Sequence, residues 1–146
     1  TNNPEPALTR EGQRWVLERY SYSAECVTED WLDALTDIAQ QQKYAETIDK
    51  MINEGLMWTR FLPGLQRDKE EMFRVLSGRG IQRPVMLAWG NEDLTVSHTQ
   101  TLELYKILAA KERRCRWQIF NQSGHFCFRE QRKRFNEVVR SFIASA

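Results

Sequence analysis

The stretch PVMLAWGNEDLTV, residues 84–96, decides how the rest of the chain is read. Its first half is a continuous apolar run of strand length, opened by Pro84 and closed by Gly90. A run without apolar–polar alternation fits a strand of a parallel sheet that is covered on both faces. Its second half, NEDLTV, is polar and leaves the carboxyl end of that strand. In open parallel α/β sheets, functional side chains gather outside those ends. Asp93 stands there, three residues past the run.

Toward the C-terminus the same pattern occurs again. Ser97 and Gln100 have capping-box spacing, and Leu102, Tyr105 and Leu108 form the inner face of the helix they start. RCRWQIF, residues 114–120, is a second strand candidate, and NQSGH, residues 121–125, is a loop. Phe135, Val138, Val139 and Phe142 recur at helical spacing in a last helix. The order predicts a βαβα unit with parallel strands and a right-handed crossover. His125 then leaves the same sheet edge as Asp93, and strands about 4.8 Å apart let the two loops meet. A carboxylate that accepts the imidazole Nδ1–H fixes the tautomer and stabilises the imidazolium. Asp93 and His125 are therefore candidate acid and base.

Toward the N-terminus the chain reads as helix after helix. Thr9 is a candidate N-cap for a helix to about Tyr20, with Trp15 and Val16 facing inward. Thr28, followed by Glu29 and Asp30, starts a second helix with apolar positions Trp31, Leu32, Leu35, Ile38 and Ala39. Tyr44, Ile48, Met51 and Ile52 mark a third, with Gly55 near its end. Pro63-Gly64 reads as punctuation, and Asp68 and Glu71 as the capping box of the next helix. The predicted division is 1–64 and 65–146.

Composition excludes several classes. With 41% hydrophobic and 28% charged residues and a formal charge of +1, nothing demands an acidic partner or a membrane surface. No apolar run approaches the roughly 20 residues that span a bilayer. TNNPEPALTREG has neither the basic start nor the apolar stretch of a signal peptide. Three cysteines, an odd number, then predict free thiols and a cytoplasmic setting.

The motif W-G-x-x-D at residues 89–93, followed by G-H at 124–125 and a closing amphipathic helix, resembles the C-terminal part of an α/β-hydrolase. The resemblance implies an α/β fold in which a helical cap, residues 1–64, precedes a βαβα unit of the parallel sheet. It makes Asp93 the acid and His125 the base of a Ser-Asp-His triad. The segment RWVLERYSYSAECVTEDWLDA, residues 14–34, resembles the cap opening of meta-cleavage product hydrolases. Those enzymes break a carbon–carbon bond in a vinylogous 1,5-diketone made during aromatic degradation. By that resemblance the substrate first ketonises, and His125 helps move the proton. Trp58, Phe61, Phe126 and Arg60 are expected to line the substrate pocket, among further walls from Trp15, Trp31, Met51 and Met57.

Two departures bear on the substrate. Phe126 stands where those hydrolases usually have tryptophan, and TEDWLDALTDIA, residues 28–39, lacks their usual arginine, with Leu35 near its place. Arg60 is the candidate to compensate. No G-x-S-x-G and no Gly-rich oxyanion loop occurs in the 146 residues, and neither Ser77 nor Ser123 has an elbow context. The expected partner is thus an N-terminal half of the same protein that brings the nucleophile, alongside a small aromatic-derived substrate. A homo-oligomer is open; no cofactor, metal, nucleic acid or membrane is expected. Ester, lactone or epoxide hydrolysis on the same fold, or a non-catalytic fragment, are the alternatives.

Other readings are weaker. Glu92 is the rival acid, one residue early. His98, at a helix start, reads as an exposed histidine. His125, Cys115 and Cys127 lack the paired spacing of a zinc site. Cys127 is expected to point away from the imidazole along an extended segment. REQRKR, residues 129–134, reads as a solvated helix face.

Overall fold

Thr9 opens a helix for a local reason: its Oγ1 accepts the Gly12 N–H at 3.1 Å, satisfying an orphan donor of the first turn. The computed structural model describes residues 8–146; residues 1–7, which include most of the stretch judged against a signal peptide, lie outside the described residues. The described chain forms two compact units. One holds the residues up to Leu17 and Val27–Arg74; the other holds Glu18–Cys26 and Val75–Ala146.

The first unit is helical. It contains most of α1 (Arg10–Tyr20), then α2 (Glu29–Ala39) and α3 (Gln42–Ile52), and a π-helical turn at Met57–Phe61 that runs into α4 (Leu62–Gly78), whose last turn from Val75 belongs to the second unit. Thr28 is the N-cap residue of α2, with extended backbone. The apolar face of α2 is rotated from the expected one: Leu32, Thr36 and Ala39 are buried, while Ile38 is exposed. Thr36 joins the buried stripe because its hydroxyl bonds the Leu32 carbonyl at 2.7 Å. Arg10 pairs with Asp33 and, at 2.6 Å, with Glu29, which also holds Arg14 at 2.6 Å. These exposed pairs join α1 to α2 with little net stabilisation.

Pro63-Gly64 does not interrupt the chain, and Asp68 and Glu71 cap nothing. All four lie inside α4, so the break expected at 64/65 falls within a helix. A proline in the first helical turn has no N–H to leave unbonded, and its φ is already helical. The preceding π turn, closed by the Leu62 N–H on the Met57 carbonyl, leads directly into it.

The second unit carries β1 (Val85–Gly90), α5 (His98–Ala109), β2 (Cys115–Phe120), a short α6 (Cys127–Glu130) and α7 (Arg132–Ser145). The strands are parallel, with Val85 opposite Cys115 and Gly90 opposite Phe120. Leu76, Leu108 and Cys115 centre its core, packed by Val85, Leu87, Leu104 and Tyr105. The Ser97/Gln100 capping box is complete at the start of α5. β1 differs from the fully covered strand expected: Val85 to Trp89 are only half-buried, because the sheet has two strands among the described residues.

Candidate active site

The register places the carboxyl ends of both strands side by side, so the two loops leave one edge. Backbone bonds then stitch them together. The Asn91 N–H donates to the Phe120 carbonyl at 2.8 Å, and the Glu92 N–H to the Ser123 carbonyl at 2.9 Å. The Glu92 carboxylate takes the Ser123 N–H at 2.9 Å, so the rival acid braces the loops, while the carboxylate bonded to His125 is that of Asp93. Trp89 Nε1–H reaches the Val96 carbonyl at 3.2 Å and closes the Asp93 loop. Both motif glycines are required sterically. A Cβ on Gly90 would lie 1.9 Å from the Gly124 carbonyl oxygen, and one on Gly124 would lie 2.4 Å from that of Tyr20.

Asp93 sits in a turn of its own making. Its Oδ1 accepts the Thr95 hydroxyl at 2.6 Å, the Thr95 N–H at 2.8 Å and the Val96 N–H at 3.3 Å. Its Oδ2 faces His125 Nδ1 at 3.0 Å, with the carboxylate side chain 3% exposed and the imidazole 42%. Burial alone would raise the Asp93 carboxyl. The hydrogen bonds from Thr95, His125 and Val96 outweigh it and hold the group below the ordinary carboxylate range.

Thr95 Oγ1 also lies 2.9 Å from His125 Nδ1. A hydroxyl has one hydrogen, and at 2.6 Å that hydrogen goes to the carboxylate. Toward His125 the oxygen is then an acceptor. The pattern assigns the proton to Nδ1, where Asp93 and Thr95 share it, and leaves Nε2 with its lone pair. Nε2 has no hydrogen-bond partner among the described residues. The ring is held by Tyr20, at 5.9 Å between centroids, and by the edge of Phe126 at 5.4 Å. The arrangement can accept a proton at Nε2 and stabilise the resulting charge from the other side.

The remaining predicted site residues are spread. Phe126 touches His125. In the first unit, Arg60 and Phe61 line an open groove of about 410 Å³ with Met51, Leu56, Gly64, Leu65 and Asp68. Trp58 stands 69% exposed. Cys127 starts α6 instead of lying on an extended segment; it is buried, and burial pushes its thiol up, so it is a poor nucleophile. His98 is half-buried, not exposed, and its Nε2 is buried without a partner among the described residues. No cluster of three or more metal-binding side chains occurs among the described residues, and no helix among them is long and apolar enough to cross a membrane.

Sequence reading missed Thr95, Ser123 and Glu130. Thr95 was findable, since a Thr two residues after an Asp is a common turn partner. Ser123 is fully buried, its hydroxyl donating to Glu130 at 2.8 Å. Glu130 lies in the charged run read as a solvated face.

No protein-family model and no curated protein matches the sequence. Solved structures do. A meta-cleavage product hydrolase (CumD), as an alanine-to-valine variant, is 21% identical over 99% of this chain and 48% of its own, with a TM-score of 0.67. The meta-cleavage product hydrolase of Pseudomonas fluorescens IP01 (CumD), a serine-to-alanine variant complexed with acetates, is 19% identical over 94% of this chain and 46% of its own, at 0.65. Cfl2 from Burkholderia cenocepacia is 16% identical over 91% and 40%, at 0.64. The chain therefore spans less than half the length of these structures, and it has the fold of the C-terminal portion of an α/β-hydrolase.

Proposed function

We propose that this chain is the acid–base and cap portion of an α/β-fold hydrolase, with Asp93 as the triad acid and His125 as the base. The observation that carries the reading is the buried Asp93 carboxylate 3.0 Å from Nδ1 of an exposed imidazole, at the carboxyl edge of a parallel sheet. A serine nucleophile and an oxyanion hole come from sequence that this chain does not contain. His125 Nε2 takes the proton of that serine, or of a water, and Asp93 stabilises the imidazolium.

The substrate class we favour is a meta-cleavage product, cut at a carbon–carbon bond. The similar structures named for that reaction support this choice. So does Arg60, a groove-lining cation with no ion-pair partner among the described residues, suited to a substrate carboxylate. Within the first unit Phe61 and Trp58, and within the second Phe126 beside His125, each offer aromatic surface suited to a planar substrate.

The test assays the protein that carries this chain against a ring-fission product and a simple ester, each with His125→Ala. The expected result is preferred turnover of the ring-fission product and a loss of about 10³- to 10⁴-fold in kcat on substitution. Unchanged turnover by His125→Ala would sink the catalytic assignment. Preference for the ester, with the same sensitivity, would keep the pair and replace the carbon–carbon reaction.

A further inference from the structure

Three donors converge on the carboxylate of Glu130, with the Cys26 thiol beside them. Its Oε2 accepts the Gly124 N–H at 2.5 Å and the Ser123 hydroxyl at 2.8 Å. Its Oε1 accepts the Tyr22 N–H at 2.5 Å and faces the Cys26 thiol at 3.8 Å. One oxygen thus holds the residues immediately before His125, and the other faces the segment after α1, which ends in a 3-10 turn at Ala24–Cys26. The last residue of α1 in turn receives the His125 backbone, whose N–H donates to the Tyr20 carbonyl at 2.8 Å. Tyr20 also supplies the ring beside the imidazole. The loop has no slack at this point, since Gly124 packs too closely on residues 20–22 to admit a Cβ.

We infer that Glu130 is a positioning residue for His125: its carboxylate clamps residues 123–124 to residues 20–26 and so aims the imidazole at Asp93. The inference rests on the acid–base reading above. The chemistry explains why the residue is a glutamate. The groups bonded to it are donors, and a carboxylate offers acceptor oxygens on both arms where an amide offers one. The isosteric amide would turn an NH₂ toward either the Tyr22 N–H or the Gly124 N–H, a donor against a donor. Truncation to alanine would leave two backbone N–H groups and a buried hydroxyl without their acceptor.

The experiment compares Glu130→Gln with the parent protein by proton NMR, following the downfield Nδ1–H signal of His125, and by steady-state kinetics. Circular dichroism checks that the fold is kept. The expected result is a folded variant whose Nδ1–H signal is lost or broadened, with kcat lowered roughly 10- to 100-fold and KM little changed, as for a misaimed base. Ser123→Ala removes one of the three donors with little change of volume and should give the same signature more weakly; it decides the matter if Glu130→Gln does not fold. A folded variant with an unaltered Nδ1–H signal overturns the inference. Failure of the hydrolase reading is separately visible. There, His125→Ala leaves turnover unchanged, while the NMR signal still reports whether Glu130 orders the imidazole.

Discussion

The sheet edge and the helices of the first unit are held in opposite ways. Around Asp93 and His125, side chains and backbone are tied by short hydrogen bonds, and the two motif glycines leave no space between adjoining segments. In the first unit the ion pairs are exposed, and large apolar side chains such as Ile38, Ile52, Trp58, Phe61 and Leu65 face solvent. The difference teaches which part of the molecule is already determined by this chain's own residues. The acid–base geometry is fixed locally within the second unit, while large apolar side chains of the first unit stay exposed.

The largest expected effect comes from Asp93→Asn. The amide can present its NH₂ to Nδ1, which would stabilise the tautomer with the proton on Nε2. A base in that tautomer cannot accept a proton where it is needed. On the proposed mechanism kcat falls by about 10⁴-fold, read by steady-state turnover near neutral pH. Turnover within a fewfold of the parent would break the contrast, because the hydrogen-bonded Asp93–His125 pair would then have no catalytic consequence.

A pair of glycine substitutions compares the regions by stability alone. Gly90→Ala forces a Cβ against backbone atoms of residues 123 and 124 and should cost about 3 kcal/mol. Gly55 has a positive φ of 71° but open space around it, so Gly55→Ala should cost only about 1 kcal/mol. Urea unfolding of both variants checks the order. Equal costs would mean that the loops at the sheet edge separate easily, contrary to the tight packing described.

How much of this was legible in the sequence depends on which physical signal each residue carried. β1, β2 and the α5 cap were legible because apolar runs and Ser-x-x-Gln spacing are local signals, satisfied within a few residues. The approach of Asp93 to His125 followed from the topology, since parallel neighbours send their loops off one edge. Glu130 was invisible because its partners, Tyr22, Ser123 and Gly124, are brought together only by the fold. The π turn was missed because Pro63-Gly64 is a breaker by composition, yet a proline in a first helical turn breaks nothing. Ile38 was misassigned because Thr36, a polar residue, hides its hydroxyl on its own helix and takes a core position.

Thr95→Val tests a smaller contribution within the ordered region. It removes the hydroxyl that bonds both Asp93 and His125 but keeps the Thr95 N–H in place. The sign follows from the direction of the Asp93 shift. A carboxyl held below its ordinary range contributes stability that is present above its unfolded pKa and is lost as pH falls through the depressed one. Without the hydroxyl, the Asp93 carboxyl moves back up, and the acid-side loss of stability and of kcat should both begin at higher pH. Near neutral pH the stability cost should be about 1–2 kcal/mol. An acid limb that does not move would mean that the backbone N–H groups of Thr95 and Val96 suffice to hold the carboxylate.

Trp58→Ala should have the smallest effect on stability and separates structure from use in the first unit. At 69% exposure the indole is buried too little to contribute much to folding, and its removal should change unfolding by less than about 0.5 kcal/mol. A role in holding substrate predicts something else: KM rises for a planar aromatic substrate while kcat is retained, the signature of lost uniform binding. Asp93→Asn should do the reverse, lowering kcat with little change in KM. If Trp58→Ala instead lowers stability by more than 1 kcal/mol, the indole is packed in solution, and the apolar surface of the helices is committed after all. If neither quantity moves, the aromatic wall lies elsewhere, and Phe61 and Arg60, which share the 410 Å³ groove, are the residues to substitute in its place.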